Sequence, residues 1–144
     1  MTTRIQARSR RLSCALLMSS AIALVMFGQP GRAAAQDEYD TFFASGYTYC
    51  DAKLMGALFG EDPDGGKIII GQKIQNGIGS NIRVTLAESR DLGNTCEWED
   101  TGLSYSDAQV MAEVWGLDDP YEAKLKAARL YTQGRSQQVA NALS

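Results

Sequence analysis

Two stretches of this sequence resemble each other: GYTYCDAKLMGALFG at residues 46–60 and GLSYSDAQVMAEVWG at residues 102–116. Six of the 15 positions are identical, and several of the others agree in kind. After one inserted residue the similarity continues almost to the end of the chain, first in an Asp-Pro pair and later in a glycine. Because self-similarity at a fixed spacing indicates repeated structural units, the sequence predicts two tandem copies of one unit, at about 45–92 and 101–144.

Each of the two stretches begins with a pattern that is typical of a helix start. A capping box needs a hydroxyl side chain at the N-cap and an acidic side chain three positions later. Thr48 and Asp51 meet this requirement in the first copy, and Ser104 and Asp107 meet it in the second. Apolar residues then recur at helical spacing until a glycine that can adopt left-handed backbone ends the pattern. We therefore predict that these four side chains are helix caps.

The segment 67–86 has two possible interpretations. Its aliphatic residues fall mostly on even positions and Asn76-Gly77 is a frequent hairpin turn, which taken alone favours a β-hairpin. The corresponding segment of the second copy, residues 121–143, is rich in Ala, Leu, Lys and Gln, which are strong helix formers. We therefore predict helices in both copies, each interrupted at a glycine, Gly77 or Gly134. The predicted fold is all-α, with two tandem helix-hairpin units.

Residues 1–35 have the three-part layout of a cleavable secretory signal peptide. Four arginines lie near the start, an apolar run of 16 residues ends at Phe27, and small residues precede a predicted cleavage between Ala35 and Gln36. The apolar run is shorter than the roughly 20 residues that cross a bilayer. We therefore predict a periplasmic or secreted protein of residues 36–144, with no membrane span after the signal is removed.

The segment between the predicted cleavage site and the first unit is acidic and aromatic. It reads QDEYDTFFA at residues 36–44. Pro30 and the glycines beside it are expected to break any helix at the end of the signal, because proline and glycine are poor helix formers. We expect Phe42 and Phe43 to cover the core of the first unit.

Removal of the signal changes the charge of the chain. All 17 acidic residues follow position 35, but only 9 of the 14 basic residues do, so the net charge goes from −3 to −8. An acidic surface repels phosphate backbones, so we expect no nucleic-acid partner. The chain contains no histidine, which excludes histidine-based triads and histidine metal sites. The sequence predicts no catalytic residue, no metal site and no cofactor.

The cysteines indicate one disulfide. Cys14 lies in the predicted signal, which leaves Cys50 and Cys96 in a chain directed to an oxidising compartment. This disulfide would enclose 45 residues. The loop-entropy relation gives a stabilisation of about 4 kcal/mol for such a span.

Three aromatic residues are candidates for an interaction surface. Tyr49 and Tyr105 occupy equivalent first-turn positions, where a tyrosine either closes the core or presents its hydroxyl in a groove. Trp98 lies in the acidic linker between the two copies. It is either a recognition anchor, because tryptophan is enriched at binding hot spots, or it packs over the neighbouring disulfide.

The leading hypothesis is an exported, non-enzymatic module of the cell envelope that binds another protein. One alternative is an acid- or envelope-stress chaperone that opens when its carboxylates become protonated. A second alternative is a small hydrolase that uses Asp51 and Asp107 as an acid–base pair. This hydrolase requires both carboxylates in one cleft, with the pKa of at least one of them raised.

Overall fold

The structure, a computed structural model, describes residues 30–144. The predicted signal peptide thus lies outside the described residues up to position 29, and its predicted cleavage site, between Ala35 and Gln36, falls within the first helix. The described range contains seven α-helices, one short 3-10 helix and no strand, which confirms the predicted all-α fold. The elements are α1 (Pro30–Ala44), α2 (Tyr49–Phe59), α3 (Pro63–Gln75), α4 (Ser80–Asp91), the 3-10 helix (Trp98–Thr101), α5 (Tyr105–Trp115), α6 (Pro120–Thr132) and α7 (Ser136–Ala142).

Helices α2 and α5 begin with the same hydrogen-bonded turn. In α2 the Thr48 hydroxyl accepts from the amide of Asp51 at 3.2 Å, and the carboxylate accepts in return from the amide of Thr48 at 2.8 Å. In α5 the Ser104 hydroxyl accepts from the amide of Asp107 at 3.3 Å, and the return bond is 2.7 Å. Both turns are complete capping boxes, which satisfy backbone donors that a first helical turn leaves free.

A glycine interrupts the helical region that follows in each half of the chain. Gly77, with φ of 72°, lies between α3 and α4, and Gly134, with φ of 69°, lies between α6 and α7. The Asp-Pro pairs start α3 and α6, because Asp62 and Asp119 are the N-caps of these helices. The segment 67–86 is therefore two helices and a turn rather than a β-hairpin.

Helix α1 departs from the expected course of the chain. Pro30 is the first residue of this helix, and the position suits proline because its fixed φ is helical and its missing N–H is not needed there. Helix α1 packs on α3 so closely that a Cβ on Gly71 would lie only 2.2 Å from the carbonyl oxygen of Glu38. Phe42 is buried, whereas Phe43 is 68% exposed, so the expectation of a covering role is wrong for Phe43.

Two clusters of buried side chains form the core. The cluster among α1–α4 and the linker contains Phe42, Cys50, Ala52, Leu54, Met55, Ile70, Ile82, Leu86 and Cys96. The cluster among α5–α7 contains Ala108, Met111, Ala112, Ala123, Ala127, Leu130, Val139 and Ala142. We refer to α1–α4 as the N-terminal half and to α5–α7 as the C-terminal half. Tyr131 packs against both clusters, so the two halves adjoin.

Cys50 and Cys96 form the predicted disulfide. Their Cα atoms are 5.7 Å apart, a usual separation for a disulfide. Cys50 lies in the first turn of α2, and Cys96 precedes the 3-10 helix. The amide of Cys96 also donates to the hydroxyl of Thr132 in α6 at 2.9 Å. The disulfide therefore attaches the linker to the N-terminal half at a point where the linker also contacts the C-terminal half.

Candidate functional site

The 3-10 helix Trp98–Thr101 lies at the centre of the candidate functional site and is held from several directions. The carboxylate of Asp100 accepts from the amide of Glu97 at 2.7 Å and forms an ion pair of 2.5 Å with the ammonium of Lys53 in α2. The disulfide at Cys96 adds a covalent attachment two residues before this helix. These contacts fix the conformation of the linker and therefore the positions of its side chains.

Lys124 in α6 brings two of the predicted interaction residues together. Its ammonium lies 5.5 Å from the ring centroid of Trp98 and 5.0 Å from that of Tyr105, within the range of a cation–π interaction. Trp98 also packs against the C-terminal core cluster and is half-buried. Tyr105 is 58% exposed. The two rings thus share one cation at the surface.

A groove of about 290 Å³ runs between the 3-10 helix and α6. Trp98, Lys124 and Ala128 line it together with two further apolar side chains, Tyr121 and Leu125. Tyr121 is 65% exposed and Leu125 is 49% exposed. The sequence-based prediction missed these two residues. Their i, i+4 spacing, which places them side by side on one helix face, was the signal that could have identified them.

Tyr49 lines a shallow depression of about 480 Å³ beside the same 3-10 helix, together with Glu99 and Gly102. Its ring is 45% exposed and lies 5.2 Å from the ammonium of Lys67. Glu99 lines both this depression and the groove on α6. All three predicted interaction residues thus lie around the 3-10 helix. We call this region the linker surface and define it by Tyr49, Glu97, Trp98, Glu99, Tyr105, Tyr121 and Leu125.

A third cavity, of about 450 Å³, is lined by residues of both halves. Arg90 is the residue that connects its walls. The Nε of Arg90 donates to the carbonyl oxygen of Thr132 in α6, and its Nη2 lies 3.9 Å from the carboxylate of Asp51 in α2. Arg90 therefore joins α4 to α2 and to the C-terminal half, and we call this cavity the interhalf cleft.

The two capping carboxylates have different surroundings. Asp51 is 9% exposed and lines the interhalf cleft, whereas Asp107 is not among the residues that line it. The amide and the hydroxyl of Ser104 hydrogen-bond to Asp107 and hold the pKa of its carboxyl below the usual range. Burial, and secondarily the charge of Asp51, raises the pKa of Tyr131 in the cleft. The interhalf cleft thus contains one of the two carboxylates.

Three further observations concern residues 30–144 only. In this range no three His, Cys, Asp or Glu side chains come together as a group that could hold a metal ion. Among residues 35–144, every buried side-chain nitrogen and oxygen has a hydrogen-bond partner. None of their helices combines the length and the apolar character that crossing a membrane requires.

Comparison with known proteins finds no matching protein-family model, no similar curated protein and no similar solved structure. A functional proposal for this chain therefore depends on its own residues.

Proposed function

We propose that this chain is an exported, non-enzymatic helical module of the cell envelope that binds another protein through the linker surface. The observation that carries this proposal is the grouping of Tyr49, Trp98 and Tyr105 around a 3-10 helix that is fixed by a disulfide and an ion pair. Tyrosine and tryptophan dominate binding hot spots in protein interfaces. Because their support is already ordered, binding to them costs little additional conformational entropy.

The charge of the linker surface indicates the chemistry of the partner. Glu97 and Glu99 are exposed beside the groove on α6. The residues after position 35 carry a net charge of −8. Because complementary charge speeds encounter and selects partners, the partner segment is basic and places apolar side chains against Trp98 and Leu125.

Export is a part of this proposal. The disulfide supports it, because disulfides persist in the periplasm and outside the cell and are rare in the cytosol. The three-part layout of residues 1–35 supports it independently. The mature protein would begin at Gln36.

We also propose that residues 36–144 are a single domain that arose by tandem duplication. The pairing of helix lengths supports the duplication: α2 and α5 have 11 residues each, and α3 and α6 have 13 residues each. Equivalent capping boxes start α2 and α5. The packing of Tyr131 against both core clusters and the bond from Arg90 to Thr132 support a single domain, because few contacts cross the boundary between independent domains.

Site-specific photocrosslinking in the host cell envelope tests the binding function. A photoreactive residue replaces Glu99 in one variant and Gln138, an exposed residue of α7, in the matched control. We expect one discrete adduct with a second protein from position 99 and none from position 138. The absence of an adduct from position 99, or equal adducts from both positions, would contradict the proposal.

The captured partner is then purified and its affinity is measured by calorimetry. We expect Tyr121→Ala to weaken binding by roughly ten-fold or more, the range of an interface hot spot. Val84→Ala is the matched control, because Val84 is 69% exposed and lies in α4, outside the linker surface. An unchanged affinity of Tyr121→Ala would show that the captured protein binds elsewhere.

A further inference from the structure

The interhalf cleft has the size of a site for a small organic molecule. Its volume of about 450 Å³ lies within the usual range of such sites in proteins. Its walls come from the segment before α2, the first turn of α2, one side of α4, and the turn between α6 and α7. A molecule bound in the cleft would therefore contact both halves of the chain.

Two arginines of α4 bring hydrogen-bond donors to this cleft. The Nε of Arg90 donates to the carbonyl oxygen of Thr132, but neither terminal nitrogen of the guanidinium has a hydrogen-bond partner in the part of the chain that the structure describes. The Nη2 atom is 3.9 Å from the carboxylate of Asp51, which is longer than the roughly 2.7–2.9 Å of a charge-assisted hydrogen bond. Arg83 is exposed and forms no ion pair with a carboxylate of residues 35–144. Both arginines can therefore receive an anionic group.

The charge of the cleft is opposite in sign to that of the protein as a whole. Its charged lining residues are Arg83, Arg90 and Asp51, which together carry a net charge of +1. The residues after position 35 carry a net charge of −8. At physiological ionic strength, charges beyond roughly 8 Å are largely screened, so the lining determines the field inside the cleft. One negative charge balances this lining, whereas a dianion would exceed it and be repelled by Asp51.

Apolar and aromatic side chains form the rest of the walls. The rings of Tyr47 and Tyr131 are half-buried, and Leu86 is buried. Gly134 packs against the guanidinium of Arg90, and a Cβ at this position would lie 3.0 Å from Nη2. The absence of a side chain at position 134 therefore leaves the terminal nitrogens of Arg90 uncovered on that side.

We infer that the interhalf cleft binds a small monocarboxylate with an apolar body. Its carboxylate pairs with Arg83 and Arg90, because a guanidinium can donate two parallel hydrogen bonds to a carboxylate. Its apolar body lies against Tyr47, Tyr131 and Leu86. This site is separate from the linker surface, so the inference goes beyond the protein-binding function and does not depend on it.

Four small probes test the inference by nuclear magnetic resonance of the purified, disulfide-bonded protein. Phenylacetate has the proposed chemistry. Phenylacetamide keeps its shape without the charge, acetate lacks the apolar body, and phenyl phosphate is largely a dianion at neutral pH. Each probe is titrated while the backbone amide shifts are followed. The amides of Thr48, Gly134 and Ser136 report on the cleft, and the amide of Glu99 reports on the linker surface.

We expect phenylacetate to shift the cleft amides with a millimolar Kd, which is ordinary for a molecule of this size. It should bind at least about ten-fold more tightly than phenylacetamide or acetate, because it alone combines the single charge with the apolar body. No shift at about 20 mM phenylacetate, or equal binding of phenylacetamide, would overturn the inference. Tighter binding of phenyl phosphate would overturn the assignment to a monocarboxylate.

A variant of an exposed arginine locates the bound carboxylate. Arg83→Gln should weaken the binding of phenylacetate by roughly five-fold, the upper range for an exposed ion pair. Arg90 is left intact because it also joins α4 to α6. Arg129→Gln is the matched control, since Arg129 is an exposed residue of α6 that does not line the cleft, and it should leave the affinity unchanged. Equal affinities of the two variants would contradict the proposed contact.

Discussion

Two helices of the N-terminal half, α2 and α3, begin and end at positions equivalent to those of α5 and α6 in the C-terminal half, but the spacing between the helices of each pair differs. In the N-terminal half, α2 and α3 approach so closely that a Cβ on Gly66 would lie 1.9 Å from the carbonyl oxygen of Ala52. The equivalent position in the C-terminal half is Ala123, which is fully buried without requiring such an approach. The same substitution recurs at two more sites, where Gly56 and Gly71 correspond to Ala112 and Ala128.

This difference shows that different residues determine the ends of the helices and the distances between them. Hydroxyl, carboxylate and glycine positions set where each helix begins and ends, and they agree in both halves. The size of a few buried residues sets how closely the helices approach, because the side chain at a crossing point fixes the separation of the axes. Gly71 admits a third helix, α1, onto the N-terminal half, whereas its equivalent Ala128 lines an open groove on the C-terminal half.

Removing the disulfide should have the largest effect on stability and on how the two halves unfold. We expect Cys50→Ser with Cys96→Ser to lower the free energy of unfolding by about 4 kcal/mol, because the unfolded chain regains the freedom of a long loop. Urea unfolding is followed by tryptophan fluorescence, which reports on Trp98 and Trp115, and by far-UV circular dichroism, which reports on all helices.

In the oxidised wild-type chain both signals should change together, because the halves share Tyr131 and the contacts of Arg90. In the double variant we expect the two curves to separate. Coincident curves with an unchanged midpoint would show that noncovalent contacts alone hold the halves together.

Exchanging one residue between the halves should have an intermediate effect. Gly71→Ala should destabilise the protein by about 2 kcal/mol, because its Cβ would meet the backbone of Glu38 and no side-chain rotation can relieve that contact. The reverse exchange, Ala128→Gly, should cost about 1 kcal/mol, the difference in helix propensity. Thermal and urea unfolding measure both.

Gly79→Ala is the matched control for this exchange. Its Cβ would have no neighbour closer than 3.8 Å, and its backbone lies in the right-handed helical region. We expect it to be neutral or slightly stabilising. If Gly71→Ala were equally neutral, α1 would not be packed against α3 as described.

Substitutions in the two capping boxes should have the smallest effect on the free energy of unfolding. Thr48→Ala and Ser104→Ala should each cost about 1 kcal/mol, with the larger loss at Thr48 because its carboxylate partner, Asp51, is buried beside Arg90. The pKa of Asp107 is lowered in the folded chain from its unfolded value of 3.8. The cap therefore stabilises the fold fully at a pH above 3.8, and this contribution is lost as the pH falls through the lower pKa of the folded chain.

Acid titration between pH 7 and pH 2 therefore distinguishes two functional hypotheses. We expect the binding of a hydrophobic dye to stay low down to about pH 4, near the ordinary pKa of an aspartate, and to rise only below it. Dye binding that already rises between about pH 6 and pH 5 would instead favour an acid-activated chaperone.

Local patterns in the sequence predicted much of this structure. The hydroxyl and carboxylate at Thr48 and Asp51 lie within one helical turn, so their spacing alone specifies the contact. The interruption at Gly77 was also predictable. The segment 67–86 alone is ambiguous between a β-hairpin and a helix, but the helix-forming composition of the second copy resolves it. With two cysteines after the predicted cleavage site, one intramolecular pairing was possible.

Contacts between distant segments were not predictable in this way. Among the described residues the 3-10 helix is the counterpart of the end of α1, but it is too short and too different in sequence for the comparison of repeats to reveal how α1 packs against α3. The bond from Arg90 to Thr132 joins residues 42 positions apart and has no local signature. The groove residues Tyr121 and Leu125 acquire their role only because the 3-10 helix lies beside them. The candidate site was therefore predicted in part, through the aromatic residues at Tyr49, Trp98 and Tyr105.

The position of the disulfide along the chain has a consequence for the order of assembly. Both cysteines precede α5, so an oxidase can close the covalent ring as soon as residue 96 emerges from a ribosome or a translocation pore. The earlier helices and the linker then form a finished template before the last three helices arrive. When α6 forms, the amide of Cys96 is already held in place by the disulfide and can donate to the hydroxyl of Thr132. Synthesis from the N-terminus would thus favour folding of the N-terminal half before the C-terminal half.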